Sequence, residues 1–223
     1  DVQLKLKGGA GAEGASSLFA ASGAGKPIAD RIRGTIHAQK REYDESLVAL
    51  EKAYRASSQD DTLAALIEVY VAAGKAEEGM SFLESVIRSA PNNGAALVLM
   101  GRLQDLQGDH HAAVEAYEAA IARDPSSPAG YLSLAGLHLQ KGRFVKADNT
   151  LLDALARIPG DAGLMLAQAS VFERTGRIDE AIEVYEGLLA AQPNSDVGAN
   201  NLASLLSDYK TDEESFNRAY QLA

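Results

Sequence analysis

The sequence contains no cysteine and no tryptophan among its 223 residues. Without cysteine the chain can form no disulfide, no thiolate nucleophile and no cysteine-ligated zinc site, although a secreted chain of this size can also lack cysteine. Basic residues are scarce as well, because 21 Lys and Arg stand against 31 Asp and Glu and give a formal charge of −10. This charge repels phosphate and anionic lipid, and we find no basic patch, so we expect neither nucleic acid nor a membrane surface as the main partner.

A long hydrophobic segment is also missing. The longest strongly apolar run, Ala95 to Met100, is far shorter than the ~20 residues that span a bilayer. The residues after Asp1 have neither the basic nor the apolar region of a signal peptide. We therefore expect no membrane insertion by this fragment, although a targeting segment could lie upstream. The compartment stays open between bacterial cytoplasm and periplasm, with a lipoprotein as the alternative if an upstream signal exists.

Prolines are few, with six in the whole chain, but four of them are evenly spaced. Pro91, Pro125, Pro159 and Pro193 follow one another at intervals of 34 residues. A glycine lies 17 residues before each of these prolines, and small or apolar residues lie at fixed distances between them. Apolar residues separated by three, four and seven positions predict two amphipathic helices in each interval. The glycine is suited to end the first helix, and the proline cannot continue the second.

This pattern resembles the tetratricopeptide repeat (TPR) family, whose 34-residue unit has small residues at fixed sites and a closing proline. The degenerate unit that begins at Pro27 has Arg41 in place of the turn glycine and Ser58 in place of the proline. The resemblance implies an all-α fold, a right-handed α-solenoid or superhelix of stacked antiparallel helix pairs whose first helices line the inner face. We predict one TPR array over 1–223, with a partial repeat at 1–26, a degenerate repeat at 27–59, full repeats at 60–93, 94–127, 128–161 and 162–195, and a shortened repeat at 196–223.

Two glycine-rich stretches near the N-terminus could be taken for nucleotide sites. Residues 9–14 match the Gly-x-Gly-x-x-Gly fingerprint and follow a segment, 2–7, that alternates like a strand. A dinucleotide site needs a parallel sheet, and no later segment alternates in this way, so we expect a frayed turn and no cofactor. Residues 23–26 resemble a phosphate loop, but Ala20 and Pro27 replace the glycine and the hydroxyl residue that such a loop requires.

Histidines and carboxylates are the remaining side chains that could bind a metal ion or take part in catalysis. Asp109, His110 and His111 are possible metal ligands, but neighbouring residues at the start of a helix point in different directions, so we expect a solvated loop and no metal site. His37 and His138 lie where the family has large packing residues, and we expect half-buried structural rings with a satisfied nitrogen. Carboxylates at 77–78, 179–180 and 212–214 lie in the first turn of second helices, where they favour the positive end of the helix dipole. We find no catalytic motif and expect no enzyme and no catalytic residue.

The resemblance implies that a protein or peptide partner, an extended segment or a helix, binds in the groove formed by the first helices. Chaperone-binding TPR domains hold a carboxylate with lysines, which the equivalent groove positions lack, and sugar-transferase TPR arms carry an asparagine ladder, of which only Asn201 remains. Transfer of the groove positions gives as candidate binding residues Val98, Arg102, Asp105, Leu132, Leu139, Leu166, Ser170, Glu173 and Asn200. We predict that this surface takes an apolar or amphipathic segment, and we leave open that its leucines pack between repeats instead.

Three functions fit these expectations. The first is a non-enzymatic scaffold, of bacterial origin, that binds proteins through the groove. The second is a regulatory or substrate-presenting arm of a larger enzyme, or of a bacterial exopolysaccharide-export assembly. The third is a homo-oligomer in which the exposed ends of the array stack on other copies.

Overall fold

The computed structural model describes residues 25–222, in which the regular elements are α-helices with no strand. We number them in chain order: α1 (Lys26–Gln39), α2 (Tyr43–Ser57), α3 (Asp60–Ala72), α4 (Ala76–Ser89), α5 (Gly94–Leu106), α6 (His110–Arg123), α7 (Pro128–Gln140), α8 (Phe144–Arg157), α9 (Ala162–Arg174), α10 (Ile178–Ala191), α11 (Asp196–Tyr209) and α12 (Glu213–Leu222). The chain divides into two compact units, the first reaching Leu103 and the second beginning at Gln104. The two nucleotide-like stretches lie almost wholly outside the described residues, and Lys26 begins α1.

The turns inside the helix pairs show why the glycines recur. Four of them adopt the left-handed conformation, at Gly74 (φ 72°), Gly108 (88°), Gly142 (67°) and Gly176 (74°). A residue without a Cβ takes this conformation at no steric cost and reverses the chain after the first helix. Arg41 occupies the same position in the degenerate repeat and has φ 61°. The repeat therefore keeps its turn although the residue is unsuited to it.

Side-chain caps begin most of the first helices α5, α7, α9 and α11. Side-chain oxygens of Asn93, Asp161 and Ser195 accept hydrogen bonds from the backbone N–H three residues later, at 2.8, 2.9 and 3.2 Å. Ser127 occupies the corresponding position before α7 but makes no such bond. Pro128 is the first residue of that helix and needs no N–H partner. Three of these four helices thus begin with a side-chain cap.

In the first unit, α1 and α2 pack closely because Gly34 has no side chain. A Cβ at Gly34 would lie 2.6 Å from Cγ of Leu50. The Oγ of Ser46 donates a hydrogen bond of 2.7 Å to the Gly34 carbonyl at the same contact. Further along, the rings of Tyr54 and Phe82 meet edge to face, with centroids 5.9 Å apart. The core of this unit is a cluster of apolar side chains from α2 to α5.

The first unit contains a buried carboxylate, Asp30, that the repeat pattern did not predict. Asp30 is 6% exposed and is paired with Nζ of Lys52 at 2.9 Å and with Nη1 of Arg33 at 3.1 Å. A buried carboxylate of this kind requires such partners because its desolvation is costly. The same repeat position carries an apolar residue in the four full repeats, namely Leu63, Leu97, Tyr131 and Met165.

The second unit contains two apolar clusters. Tyr131, Leu151 and Leu164 are buried in one cluster, which joins α7, α8 and α9. Tyr185 and Leu202 belong to the other, which joins α9 to α12. Each cluster takes side chains from consecutive helix pairs, so every pair is stabilised by its neighbours.

Polar contacts connect consecutive repeats at the turns. A basic residue beside the turn of one repeat contacts a residue at the start of the second helix of the preceding repeat. These edge pairs are Lys75 with Asp44 (2.6 Å), Lys141 with His110 (2.7 Å), Arg177 with Asp148 (2.7 Å) and Lys210 with Asp179 (2.5 Å). The bonds to Asp44 and Asp179 raise the pKa values of Lys75 and Lys210, and bonds to Glu180 and Asp148 raise the pKa of Arg177, so these three residues stay cationic.

The two structural histidines differ from each other. Nδ1 of the half-buried His37 lies 2.6 Å from a carboxylate oxygen of Glu42, as a satisfied ring requires. His138 is buried, and its Nδ1 atom has no hydrogen-bond partner among residues 25–222. Burial lowers the pKa of His138, with the charges of Lys146 and Arg143 acting in the same direction. The expectation of a half-buried ring is therefore wrong for His138, which is buried, and Nδ1 is not a satisfied nitrogen of this ring.

Candidate interaction surface

The nine candidate binding residues fall in both units, and each unit is considered by itself. Val98 and Arg102 lie on α5 in the first unit. Val98 is half-buried, while Arg102 is exposed and lies 3.7 Å from an equally exposed Glu68. Ion pairs between exposed side chains contribute little to stability. Arg102 therefore stays available to a ligand. The other seven candidates belong to the second unit.

On α7 the candidate surface contains an open gap. Leu132, Gly136 and Leu139 are four and three residues apart and so lie on one side of the helix. The two leucines are half-buried and pack against the cluster of α7, α8 and α9. Gly136 between them is exposed, and a Cβ there would meet no atom within 4 Å. We call this open space the Gly136 gap.

The leucines also contact the next repeat, as the alternative interpretation requires. Cδ1 of Leu132 lies 3.6 Å from the position of a Cβ on Gly163, at the start of α9. Leu166 on α9 is half-buried and packs against the cluster of α9 to α12. Each leucine therefore has a core side and a side open to solvent. The core side packs between repeats, as one interpretation predicts, and the solvent side is accessible to a ligand, as the other predicts.

Further along α9, a hydrogen-bonded chain holds Glu173. The phenol of Tyr185 donates a bond of 2.6 Å to Oε1 of Glu173. The Nδ2 of Asn201 donates a bond of 3.0 Å to the oxygen of Tyr185. Burial raises the pKa of Tyr185, and the bond to Glu173 raises it further, so the phenol stays protonated. Asn201 thus supports a neighbouring side chain instead of facing a ligand alone.

Polar residues continue this surface. Ser170 is half-buried on α9, and Asn200 is exposed on α11. On α11, Oγ of Ser204 donates a bond of 3.3 Å to Asp208. Among residues 25–222, neither Glu173 nor Asp208 forms an ion pair with a basic side chain. We call the solvent side of Leu132, Gly136, Leu139, Leu166, Ser170 and Glu173 the first-helix face.

Asp105 takes part in a contact between two repeats. Its Oδ1 lies 2.7 Å from Nδ1 of His110, whose Nε2 accepts a hydrogen bond of 2.7 Å from Nζ of Lys141. Because the lysine donates to Nε2, this network assigns the ring proton to Nδ1, which donates it to Asp105. Asp105 therefore joins two repeats, and a ligand would have to compete for it.

The same contacts separate the three residues considered as metal ligands. Asp109 caps α6 by accepting a bond of 3.0 Å from the Ala112 N–H. His110 is held by Asp105 and Lys141, while Nδ1 of His111 lies 3.5 Å from Glu115 at the surface. Within residues 25–222, no three such ligands converge as a metal ion would need. In the same range, no helix combines the length and apolarity required to cross a bilayer.

Comparison with protein families identifies the family that has this arrangement of helix pairs. Three family models, each described as "Tetratricopeptide repeat", match residues 64–128, 106–166 and 164–196. Together they cover more than half of the chain. The chain therefore belongs to the tetratricopeptide repeat family, which the 34-residue pattern had indicated.

Curated proteins that resemble the chain are longer than it. Anaphase-promoting complex subunit 7 of Arabidopsis thaliana is 24% identical over 180 residues, which cover 80% of this chain and 32% of that protein. Cellulose synthase operon protein C is 27% identical over 161 residues in Xanthomonas axonopodis pv. citri and 28% over 142 in Pseudomonas fluorescens. These matches cover 53% and 60% of this chain, and the chain spans only 11% of either relative.

Solved structures show the same fold at low sequence identity. A thermophilic TPR protein of Thermus thermophilus superposes with a TM-score of 0.59 at 19% identity, covering 81% of this chain and 99% of that one. MamA gives a TM-score of 0.54 at 20% identity over 69% of this chain and 91% of that one. At this identity the likeness shows the fold alone, which is the all-α TPR solenoid fold.

Proposed function

We propose that the protein is a non-enzymatic scaffold that holds a segment of a partner protein on the first-helix face of its second unit. The TPR fold fits a protein–protein interaction scaffold, and the matching family models describe no catalytic family. The observation that carries the proposal is the Gly136 gap, an unfilled space between two leucines whose outer sides reach solvent.

The gap is suited to a hydrophobic side chain of the partner. Full burial of a large apolar side chain contributes ~1.5–3 kcal/mol, before the cost of association is subtracted. One such side chain gives weak binding, so the remainder of the segment must contact Leu166, Ser170 and Glu173 on the neighbouring helix. The proposal therefore requires an extended segment or a helix, which can reach both α7 and α9.

Gly136 offers a test that leaves the core intact. Because a Cβ at Gly136 would meet no atom within 4 Å, Gly136→Trp can place a large ring over the gap. Gly136→Ala is the matched control, since alanine in a helix interior is favoured over glycine by roughly 0.5–1 kcal/mol and leaves most of the gap open. Leu132→Glu and Leu139→Glu are a poorer test because both leucines also pack in the core.

The probe is a phage-displayed library of random dodecapeptides selected on the full chain. We expect selected peptides with hydrophobic residues that bind the wild type and the Gly136→Ala variant alike and lose at least tenfold in affinity for Gly136→Trp. Circular dichroism should show unchanged helicity in both variants. Failure to select any peptide, or equal binding to the tryptophan variant, would refute this site.

A second candidate is an arm of a bacterial exopolysaccharide-export assembly. It is favoured by the two relatives named cellulose synthase operon protein C, both of which are bacterial. The test is deletion of the coding region in the bacterium of origin, with secreted β-glucan measured by dye binding. A loss of secreted glucan that the wild-type gene restores supports this function, and unchanged secretion refutes it.

A further inference from the structure

We infer that the partner segment is basic as well as apolar, with a lysine or arginine a few residues from the hydrophobic residue that enters the Gly136 gap. This inference rests on the proposed function and specifies the chemistry of the partner. It follows from the charges beside the gap, from the way in which Glu173 is held, and from the spacing of the helices.

The first-helix face changes from apolar on α7 to acidic on α9. Glu173 is exposed and has no ion-pair partner among the described residues. The nearest basic side chains in the sequence are engaged elsewhere, because the guanidinium of Arg174 lies over the ring of Phe144 and that of Arg177 over Phe172. Arg177 is also paired with Asp148 on α8 and with Glu180 on α10. The negative charge of Glu173 is thus left for a ligand to neutralise.

Glu173 is also held in place before any ligand arrives. Its Oε1 accepts a bond from the buried Tyr185, and Tyr185 is in turn held by Asn201. A neutral phenol fixes the carboxylate without removing its charge, while Oε2 accepts no bond from a described residue. A fixed acceptor loses little conformational freedom when it binds a cation, and a hydrogen bond between two charged groups is stronger than a neutral one. Glu173 is therefore prepared for an ammonium or guanidinium group.

The repeat geometry sets the distance between the two features. Leu139 and Glu173 are 34 residues apart and occupy the same position on the first helices of adjacent repeats. The helices that carry them, α7 and α9, contact each other. Axes of contacting helices lie roughly 8–10 Å apart, and an extended peptide advances about 3.3 Å per residue. In an extended segment, a hydrophobic residue beside Leu139 therefore places the residue about three positions away beside Glu173.

The occupant is a basic segment of another protein. A second copy of this chain is a poorer occupant because each copy has a charge of −10 and repels the other. Nucleic acid and anionic lipid are repelled by the same charge. If the face nevertheless binds a second copy, light scattering will show a dimer that the basic peptides below do not dissociate, and the inference is then wrong.

The experiment uses the dodecapeptides selected from the random library on the full chain. We expect a consensus in which a lysine or arginine lies about three positions from a leucine, isoleucine or phenylalanine. Fluorescence anisotropy then compares each peptide with its Lys→Gln or Arg→Gln version. Glu173→Gln keeps the bond from Tyr185 and should weaken the basic peptide three- to tenfold while leaving the glutamine peptide unchanged. This effect should shrink at high salt.

Glu183→Gln is the matched control, because it removes one exposed carboxylate from α10, the second helix of the same repeat. Equal weakening by Glu183→Gln would show a general charge effect and refute the inference. A consensus without basic residues, or an unchanged affinity for Glu173→Gln, refutes the inference and leaves the scaffold proposal standing. If Gly136→Trp does not weaken the binding of either peptide, the basic-segment inference and the scaffold proposal are both refuted.

Discussion

The turn of the degenerate repeat allows a direct measurement of backbone strain. Arg41 has φ 61°, where the full repeats have glycine. A residue with a Cβ in the left-handed conformation destabilises the fold by roughly 1–2 kcal/mol. Glycine avoids this cost, but its greater freedom in the unfolded chain offsets about 0.5–1 kcal/mol of the gain. Arg41→Gly should therefore stabilise the first unit by about 0.5–1 kcal/mol. The arginine side chain has no ion pair or hydrogen bond among residues 25–222 that this substitution would remove.

The reverse substitution in the same unit is the control. Gly74 has φ 72°, and a Cβ there would meet nothing within 4 Å, so Gly74→Arg tests the backbone conformation without a clash. It should destabilise by a similar amount, and the double variant measures the coupling between the two turns, which the pair of Lys75 and Asp44 connects. Urea unfolding followed by circular dichroism measures these changes, and hydrogen exchange of α1 to α4 assigns them to the first unit. An unchanged or lower midpoint for Arg41→Gly would refute the reasoning.

Two further predictions concern the second unit. Burial lowers the pKa of His138 in the folded protein, so stability should fall as the pH drops below about 6.5, the pKa of histidine in the unfolded chain. A series of melting temperatures measured at different pH values should show this fall in the wild type and not in His138→Leu. Parallel curves for the two proteins would contradict this. Tyr185→Phe removes a hydrogen bond to a charged group and should lower the free energy of unfolding by about 1.5 kcal/mol, whereas Phe172→Leu would test packing alone; an unchanged urea midpoint for Tyr185→Phe would contradict it.

The helices could be predicted from the sequence because their determinants are local and repeated. The turn glycines and closing prolines act on the backbone within a few residues, so their 34-residue spacing located the helix pairs directly. The position of Arg41 in the pattern also indicated a turn that the structure then showed. Asp30 could have been found in the same way, since its repeat position is apolar in the four full repeats.

The contacts around the candidate site could not be predicted in this way. The chain from Asn201 through Tyr185 to Glu173 joins residues on three helices and depends on rotamers and helix separation, neither of which has a periodic signature. Tyr185 fits its repeat position as a packing residue, and nothing in the sequence shows that its hydroxyl reaches a carboxylate. Asp105 was placed correctly on its helix, but its bond to His110 depends on the path of the following turn. Whether the candidate residues bind a partner stays a prediction.

Each edge pair connects a repeat only to the one before it. Lys75 reaches back 31 residues to Asp44, and Lys210 reaches back 31 residues to Asp179. Each contact is therefore complete within two consecutive repeats and does not depend on the number of repeats before or after them. Duplication of a 34-residue segment inside the gene would copy a basic residue and its acidic partner together, and the enlarged protein would need no compensating substitution at the new junction. A family built in this way can change its length in whole repeats while its individual contacts stay the same.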